Sequence, residues 1–168
     1  KQRFDPSEPN KVWVCDFTYL RAAGRFYYLC VILDLFSRKV IAYKLSAYLD
    51  TKLAIETLDM AVANRNASNG VIFHSDRGCQ FTSEAFRKHL DELNIVQSFS
   101  AKGHPYDNAV MECFFKYLKK EETNRRTYSS FDELKLSIFQ YIHGFYNSFR
   151  PHSHNNGLSP DLAEVNFL

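Results

Sequence analysis

The apolar pattern of this 168-residue chain changes period near residue 50, and that change limits the folds open to it. Before it, three runs rich in β-branched and aromatic residues span positions 12–20, 26–33 and 39–45, with short turns between them. Strands joined by short turns pair in antiparallel fashion, so we expect a three-stranded meander. The second run is apolar almost throughout, which predicts a strand covered on both faces.

After residue 50 the apolar residues recur at helical spacing. A helix is predicted to follow a cap at Asp50 or Thr51 and to end near Gly70. Short strands are predicted over residues 71–74 and 95–99, with another helix between them. Strands that alternate with helices are joined by parallel crossovers, so this half should add two parallel strands to the sheet.

The last third of the chain is predicted to be helical. A loop over residues 102–106 precedes a helix capped by Asp107 or Asn108, and the last long helix is expected to begin at Ser130 and to end at Pro151. The element order therefore predicts an α/β fold with a mixed five-stranded sheet, three antiparallel strands and then two parallel ones, and helices on both faces. By analogy of element order, this is an RNase H-like fold.

Length and composition support one domain with a substantial core, since 45% of the residues are hydrophobic. Residues 1–11 are polar and contain two prolines, so we expect a linker from a preceding N-terminal region and a core domain over residues 12–168. The net charge of +2 is too small to indicate nucleic-acid binding by itself. Four cysteines without a CxxC pair and no membrane-length apolar run favour a soluble cytoplasmic protein with reduced thiols.

Three acidic residues stand out by position. Asp16 interrupts an apolar strand, where a carboxylate is costly unless a cation neutralises it. Asp76 comes directly after a predicted strand, where open α/β sheets commonly carry functional groups. A helical wheel places Glu112 on an accessible face with Asn108, Lys116 and Lys119, opposite an apolar face made of Val110, Cys113, Phe114, Tyr117 and Leu118.

Two strand carboxylates and a helix carboxylate suit a pair of Mg²⁺ ions, which prefer hard oxygen ligands and assist in-line displacement at phosphorus. Taken singly, each acid has an ordinary explanation: a paired core acid, a turn residue and a solvated helix residue. The combination of the three favours the metal site.

Three sequence blocks carry a family resemblance: WVCDFTYL, FHSDRGCQFTS and AKGHPYDNAVMECFFKYLKKE. They resemble the integrase core of bacterial insertion-sequence transposases, a branch of the DDE group related to retroviral integrases. The interval between Asp76 and Glu112 matches the spacing typical of that group, and YNSFRPHSHNNGLSP resembles its closing block.

The resemblance implies a polynucleotidyl transferase that uses Mg²⁺ or Mn²⁺, with two ions expected. Water frees a 3′-OH at the end of the element, and that hydroxyl attacks another phosphodiester bond. Asp16, Asp76 and Glu112 become the catalytic metal ligands, and Lys119 becomes a contact to the terminal DNA. The wheel adds Lys116 and Asn108 as DNA-binding candidates, and Arg150 and His152 are expected to contact the active-site helix or DNA.

The implied partners are the transposon ends and target DNA, in a homo-oligomeric complex in the bacterial cytoplasm, associated with the nucleoid. Two alternatives remain open: an RNase H-like nuclease without strand transfer, and a non-catalytic DNA-binding domain. No helix-turn-helix segment is present in the sequence, so end recognition is expected to belong to the preceding region.

Overall fold

A computed structural model describes residues 6–100 and 108–167. Within these ranges one mixed sheet has the order β3-β2-β1-β4-β5. Its strands are β1 (Val12–Ala22), β2 (Arg25–Asp34), β3 (Val40–Ser46), β4 (Ile72–Ser75) and β5 (Val96–Phe99). The first three pair in antiparallel fashion, whereas β4 joins β1 and β5 joins β4 in parallel. The predicted RNase H-like arrangement is confirmed.

Helices cover both faces of the sheet. In the described ranges they are α1 (Thr51–Arg65), α2 (Cys79–Thr82), α3 (Glu84–Glu92), α4 (Ala109–Glu121), α5 (Phe131–Tyr141) and α6 (Pro160–Val165). One core cluster packs α1, α2 and α3 on one face of the sheet, and a second packs α4 and α5 on the other. The central part of β2 is fully buried between them, as its apolar run predicted.

Helix α1 begins where the sequence predicted and ends earlier. The Asp50 carboxylate accepts a hydrogen bond from the Leu53 amide at 2.8 Å, which confirms Asp50 as the cap. The helix stops at Arg65 because Asn66 adopts a left-handed conformation, with φ of 47°. Gly70, where the end was predicted, instead lies in the turn that leads into β4, with φ of 77°.

The predicted apolar face of α4 is partly wrong. Phe114 and Leu118 are buried as expected, but Cys113 is exposed. Met111 and Phe115 complete the buried stripe with Phe114 and Leu118, at the i, i+3, i+4, i+7 spacing of a helix that packs on a sheet. The helix is therefore rotated about its axis relative to the prediction, yet Glu112 still lies outside the core.

The last long helix is not a regular α-helix up to Pro151. After Tyr141 the chain makes a π-helical turn over Ile142–Tyr146, which places one more residue in the turn. The face that packs inward therefore continues through Tyr146, which is buried, whereas Phe145 is exposed.

The N-terminal residues that the structure describes contact the core. The Asn10 amide donates to Asp34 Oδ2 at 2.7 Å, and its side-chain oxygen accepts from Arg65 Nε at 2.6 Å. Residues 1–5 of the predicted linker, the predicted loop at 102–106 and the candidate cap Asp107 lie outside the described residues. Among the described residues, no helix is both long and apolar enough to cross a membrane.

Candidate active site

Parallel pairing of β1 with β4 brings two of the three predicted acids to one level of the sheet. Val12 pairs with Ile72 and Val14 with His74. Continuing this register by two residues along each chain sets Asp16 level with Asp76, which is the first residue beyond β4. Residues two apart on a strand share a face, so Asp16 lies on the face of Val12 and Val14, against which α4 packs.

The start of α4 supplies the third acid and an unpredicted contact. Asn108 is the residue before the helix, but its side chain caps no helical amide. Instead its Nδ2 donates to Asp16 Oδ2 at 2.8 Å, and Asp16 Oδ1 accepts from the Phe17 amide at 2.7 Å. Glu112, in the first turn of α4, is thereby held on the side of the sheet where Asp16 lies.

The pKa of Asp16 is sensitive to the other two carboxylates. Burial raises the pKa of Asp16 from its usual value to about 6, and repulsion from the carboxylates of Asp76 and Glu112 adds to the rise. The hydrogen bonds from Phe17 and Asn108 oppose it. A half-buried carboxylate whose charge is disfavoured by two like charges is stabilised by a bound cation.

Asp76 sits in a cradle that depends on Gly78. Its Oδ1 accepts the Gly78 amide at 2.9 Å. A Cβ atom at position 78 would lie 3.0 Å from that oxygen and 3.2 Å from Gln80 Oε1. The φ of Gly78, −57°, is open to any residue, so the need for glycine at this position is space beside the carboxylate.

The three carboxylates suit a cation such as Mg²⁺ but do not enclose one on all sides. Within residues 6–100 and 108–167, no three His, Cys, Asp or Glu side chains surround a single point at metal-binding distance. Mg²⁺ takes one or two protein carboxylates and fills its remaining positions with water or phosphate oxygens. One ion therefore does not have to bind all three carboxylates. Two ions, each bound by a pair of these carboxylates, suit the arrangement.

Two of the predicted DNA contacts lie beside this site. Lys116 is exposed and Lys119 is half-buried on α4. Lys119 Nζ lies 5.0 Å from the ring centroid of Tyr19 on β1. The tyrosine was not among the predicted site residues, because an aromatic residue in a strand is usually a core residue and only the fold reveals that this one is exposed.

Arg150 and His152 occupy a different place. The Arg150 guanidinium donates from Nε and Nη2 to the Glu121 carboxylate and stacks 3.8 Å from the ring centroid of Tyr117. His152 is buried edge-on against the Tyr146 ring. Arg150 therefore fastens the C-terminal segment to the end of α4, in agreement with the predicted contact to the active-site helix.

Other residues near the acids are structural in this arrangement. His74 is buried and bonds Ser98 Oγ and Ser100 Oγ at 3.0 and 3.1 Å, which fixes β4 to β5. Cys15, next to Asp16, lies 3.6 Å from Cys30, sulfur to sulfur. Burial raises the pKa of the Cys15 thiol, so its reactive thiolate form is disfavoured.

The sequence matches the family model described as integrase core domain over residues 6–105, and a second model of the same description over residues 93–160. The chain belongs to the integrase core domain family. The first match contains Asp16 and Asp76, and the second contains Glu112, so the three acids lie within matched regions.

Its relatives include bacterial transposases. The chain is 40% identical over 164 residues to the transposase InsF for insertion sequence IS3A of Escherichia coli K12, covering 98% of this chain and 57% of that protein. It is 38% identical over 166 residues to the transposase for insertion sequence element IS904 of Lactococcus lactis, covering 98% and 66%. The chain thus spans less than two thirds of the length of these relatives.

Two solved structures that share this fold come from retroviruses. A chain of the simian T-cell lymphotropic virus intasome aligns with a TM-score of 0.70 at 19% identity, over 94% of this chain and 55% of that one. The HTLV-2 integrase catalytic core domain in complex with magnesium aligns with a TM-score of 0.63 at 18% identity, over 94% and 98%. At these identities the likeness establishes the fold.

Proposed function

We propose that this chain is the catalytic domain of an insertion-sequence transposase that cleaves DNA at 3′ ends and transfers the strand to a target. The observation that supports the proposal is the parallel register that sets Asp16 level with Asp76, together with the raised pKa of Asp16, to which the carboxylates of Asp76 and Glu112 contribute. Identity of about two fifths to bacterial transposases over nearly the whole chain supports the same assignment.

In the proposed reaction, Asp16, Asp76 and Glu112 hold two Mg²⁺ or Mn²⁺ ions. Bound ions of this kind activate the attacking oxygen and stabilise the leaving oxygen of a phosphodiester. Asn108 orients the Asp16 carboxylate through its 2.8 Å hydrogen bond. Lys116 and Lys119, on the exposed side of α4, bind phosphates of the DNA strand and set its register.

Within this proposal Arg150 and His152 act by holding α4 in place, since Arg150 is engaged by Glu121 and His152 is buried. The substrates are the ends of the element and a target DNA. We further propose a homo-oligomeric complex, because related structures are an intasome and a dimeric integrase core. We place this complex in the bacterial cytoplasm, where its DNA substrate lies.

The test compares Asp16→Asn and Glu112→Gln with the control Asp91→Asn, an exposed acid on α3. Binding of Mn²⁺ to the chain is measured by calorimetry, and joining of end-sequence oligonucleotides is measured with a transposase polypeptide that contains the chain. Loss of a metal ligand removes several kcal/mol of transition-state stabilisation, so joining should fall about a thousandfold or more. The control should retain both properties.

The same assay separates the alternatives. Metal-dependent cleavage without joining would assign the chain to the nuclease alternative instead. Unchanged Mn²⁺ binding and unchanged joining in both variants would contradict the catalytic assignment and favour the non-catalytic DNA-binding alternative.

A further inference from the structure

A groove lies between the β1–β2 hairpin and the C-terminal end of α4. Its volume is about 700 Å³. Tyr19, Arg21 and Phe26 line it from the hairpin, and Lys119 and Arg126 line it from the other side. The turn of the hairpin is tied to this second side by a 2.8 Å hydrogen bond from the Ala23 amide to the Tyr128 carbonyl.

The acids do not line the groove, but both of its sides lie in the same direction from them. Tyr19 follows Asp16 by three strand residues, about 10 Å along β1, and its side chain leaves the opposite face of the strand. Lys119 follows Glu112 by about two helical turns, about 10 Å along α4. Because Lys119 Nζ contacts the Tyr19 ring, β1 and α4 leave the acids toward the same end of the molecule.

The lining of the groove is positively charged. Arg21, Lys119 and Arg126 contribute cations, and none of the described residues that line it is acidic. Arg126 Nε pairs with Glu122 at 3.1 Å, but Glu122 also accepts a hydrogen bond from Ser137 and does not line the groove. The arrangement is notable in a chain whose net charge is only +2, since it concentrates cations on one surface.

Two aromatic rings are exposed in the same groove. Tyr19 is 59% and Phe26 54% exposed, and their rings meet edge to face with centroids 5.3 Å apart. A cross-strand aromatic pair stabilises a hairpin, but that gain does not require leaving more than half of each ring in water. Exposed rings beside cations are the pattern by which proteins bind unpaired nucleic acid, because the rings stack on bases while the cations neutralise phosphates.

We propose that this groove binds an unpaired stretch of DNA adjoining the phosphate held at the three acids. Tyr19 and Phe26 stack on a base, and Arg21 and Arg126 contact the backbone on either side of it. At 3.4 Å per stacked nucleotide, the stacked base lies about three positions from the reacting phosphate. The proposal rests on the proposed function, because that function supplies the DNA and the direction of the strand.

The test measures binding of the chain to fluorescent oligonucleotides of about 16 nucleotides, as a single strand and as a blunt duplex of the same sequence. All measurements contain a chelator, so that metal at the acids takes no part. The double variant Tyr19→Ala with Phe26→Ala should lose about fivefold or more in affinity for the single strand. The loss for the duplex should be smaller, because its bases are already stacked.

Matched controls come from outside the groove. Tyr48→Ala removes a tyrosine that is 71% exposed beyond β3 and should leave single-strand binding unchanged. Arg21→Ala should lower the slope of log affinity against log salt by about 0.7, the value for one phosphate contact on a single strand. Arg87→Ala, an exposed arginine on α3, should leave that slope unchanged. Thermal unfolding of each variant checks that the fold is retained.

Several results would overturn the proposal. These are no single-strand binding by the unsubstituted chain, equal binding by the double variant, an equal loss for duplex, or tighter binding of RNA than of DNA of the same sequence. None of them affects the metal-binding and joining tests of Asp16 and Glu112. The opposite outcome is also distinguishable. If single-strand binding depends on Tyr19 and Phe26 but the acid variants still join DNA, the groove proposal stands and the assigned active site is wrong.

Discussion

At the scale of single residues, the position of Asp16 could be predicted and its partner could not. A carboxylate inside an apolar strand is conspicuous in a sequence because burial without compensation is costly. The hydrogen bond from Asn108 joins residues 92 positions apart, and no sequence period relates them. Asn108 was instead predicted as a helix cap or a DNA contact, both of which follow from local patterns.

Replacement of Asn108 tests its role as a positioning residue. Asn108→Ala removes the donor to Asp16, and Asn108→Asp places an acceptor against an acceptor at the same 2.8 Å separation. Removing such a partner of a metal ligand typically costs ten- to a hundredfold in metal affinity, so the Mn²⁺ concentration for half-maximal joining should rise about tenfold, and more for Asn108→Asp.

Asn69→Ala, in the exposed turn before β4, is the control for this experiment. A rise in the metal requirement without a fall in melting temperature separates positioning from a general loss of stability. An unchanged metal requirement in both Asn108 variants would show that the hydrogen bond does not serve the acid.

At the scale of elements, the sequence predicted which segments form strands and helices better than it predicted their exact faces and ends. Apolar spacing located α4, but several overlapping stripes fit its sequence, and only packing on the sheet selects Met111 and Phe115 over Cys113. The π-helical turn after Tyr141 could not be predicted either, since one inserted residue per turn leaves no sequence signal of its own.

The segment after this π-helical turn carries a pH-dependent contribution to stability. Burial lowers the pKa of His152 from 6.5 to about 4, and the nearby cations Arg150 and Arg38 add to the effect. The folded state therefore keeps the imidazole neutral between pH 6.5 and 4, while the unfolded chain binds a proton. The stability contribution is complete above pH 6.5 and is lost as the pH falls toward 4.

Between pH 7 and pH 5, His152 should reduce the free energy of unfolding by about 2 kcal/mol. Urea unfolding at the two pH values measures this change, and His152→Asn should remove most of it. His143→Asn is the control, because His143 is exposed in the π-helical turn that precedes this segment. Equal pH dependence in the wild-type chain and His152→Asn would contradict the buried, neutral imidazole.

At the scale of the whole molecule, a buried ionic cluster joins parts of the chain that no sequence pattern relates. Arg65, at the end of α1, donates to Asp34 at the end of β2 and to Glu164 on α6. Asp34 is fully buried, and its carboxylate also accepts the amides of Asn10 and Phe36. Hydrophobic periodicity predicts layers of a fold, whereas charge pairs between distant segments become visible only once those layers are assembled.

This cluster predicts a large effect from removing its cation. Arg65→Met leaves the Asp34 carboxylate without its buried partner, so the free energy of unfolding should fall by about 3–5 kcal/mol in urea titrations at neutral pH. Lys88→Met, which breaks an exposed pair with Glu92, should cost less than about 1 kcal/mol. Adding Asp34→Asn to Arg65→Met removes the uncompensated charge and keeps an oxygen acceptor for one of the two amides, so the double variant should be more stable than Arg65→Met alone. A double variant no more stable than the single one would mean that Arg65 acts through packing of its long side chain and that charge pairing contributes little.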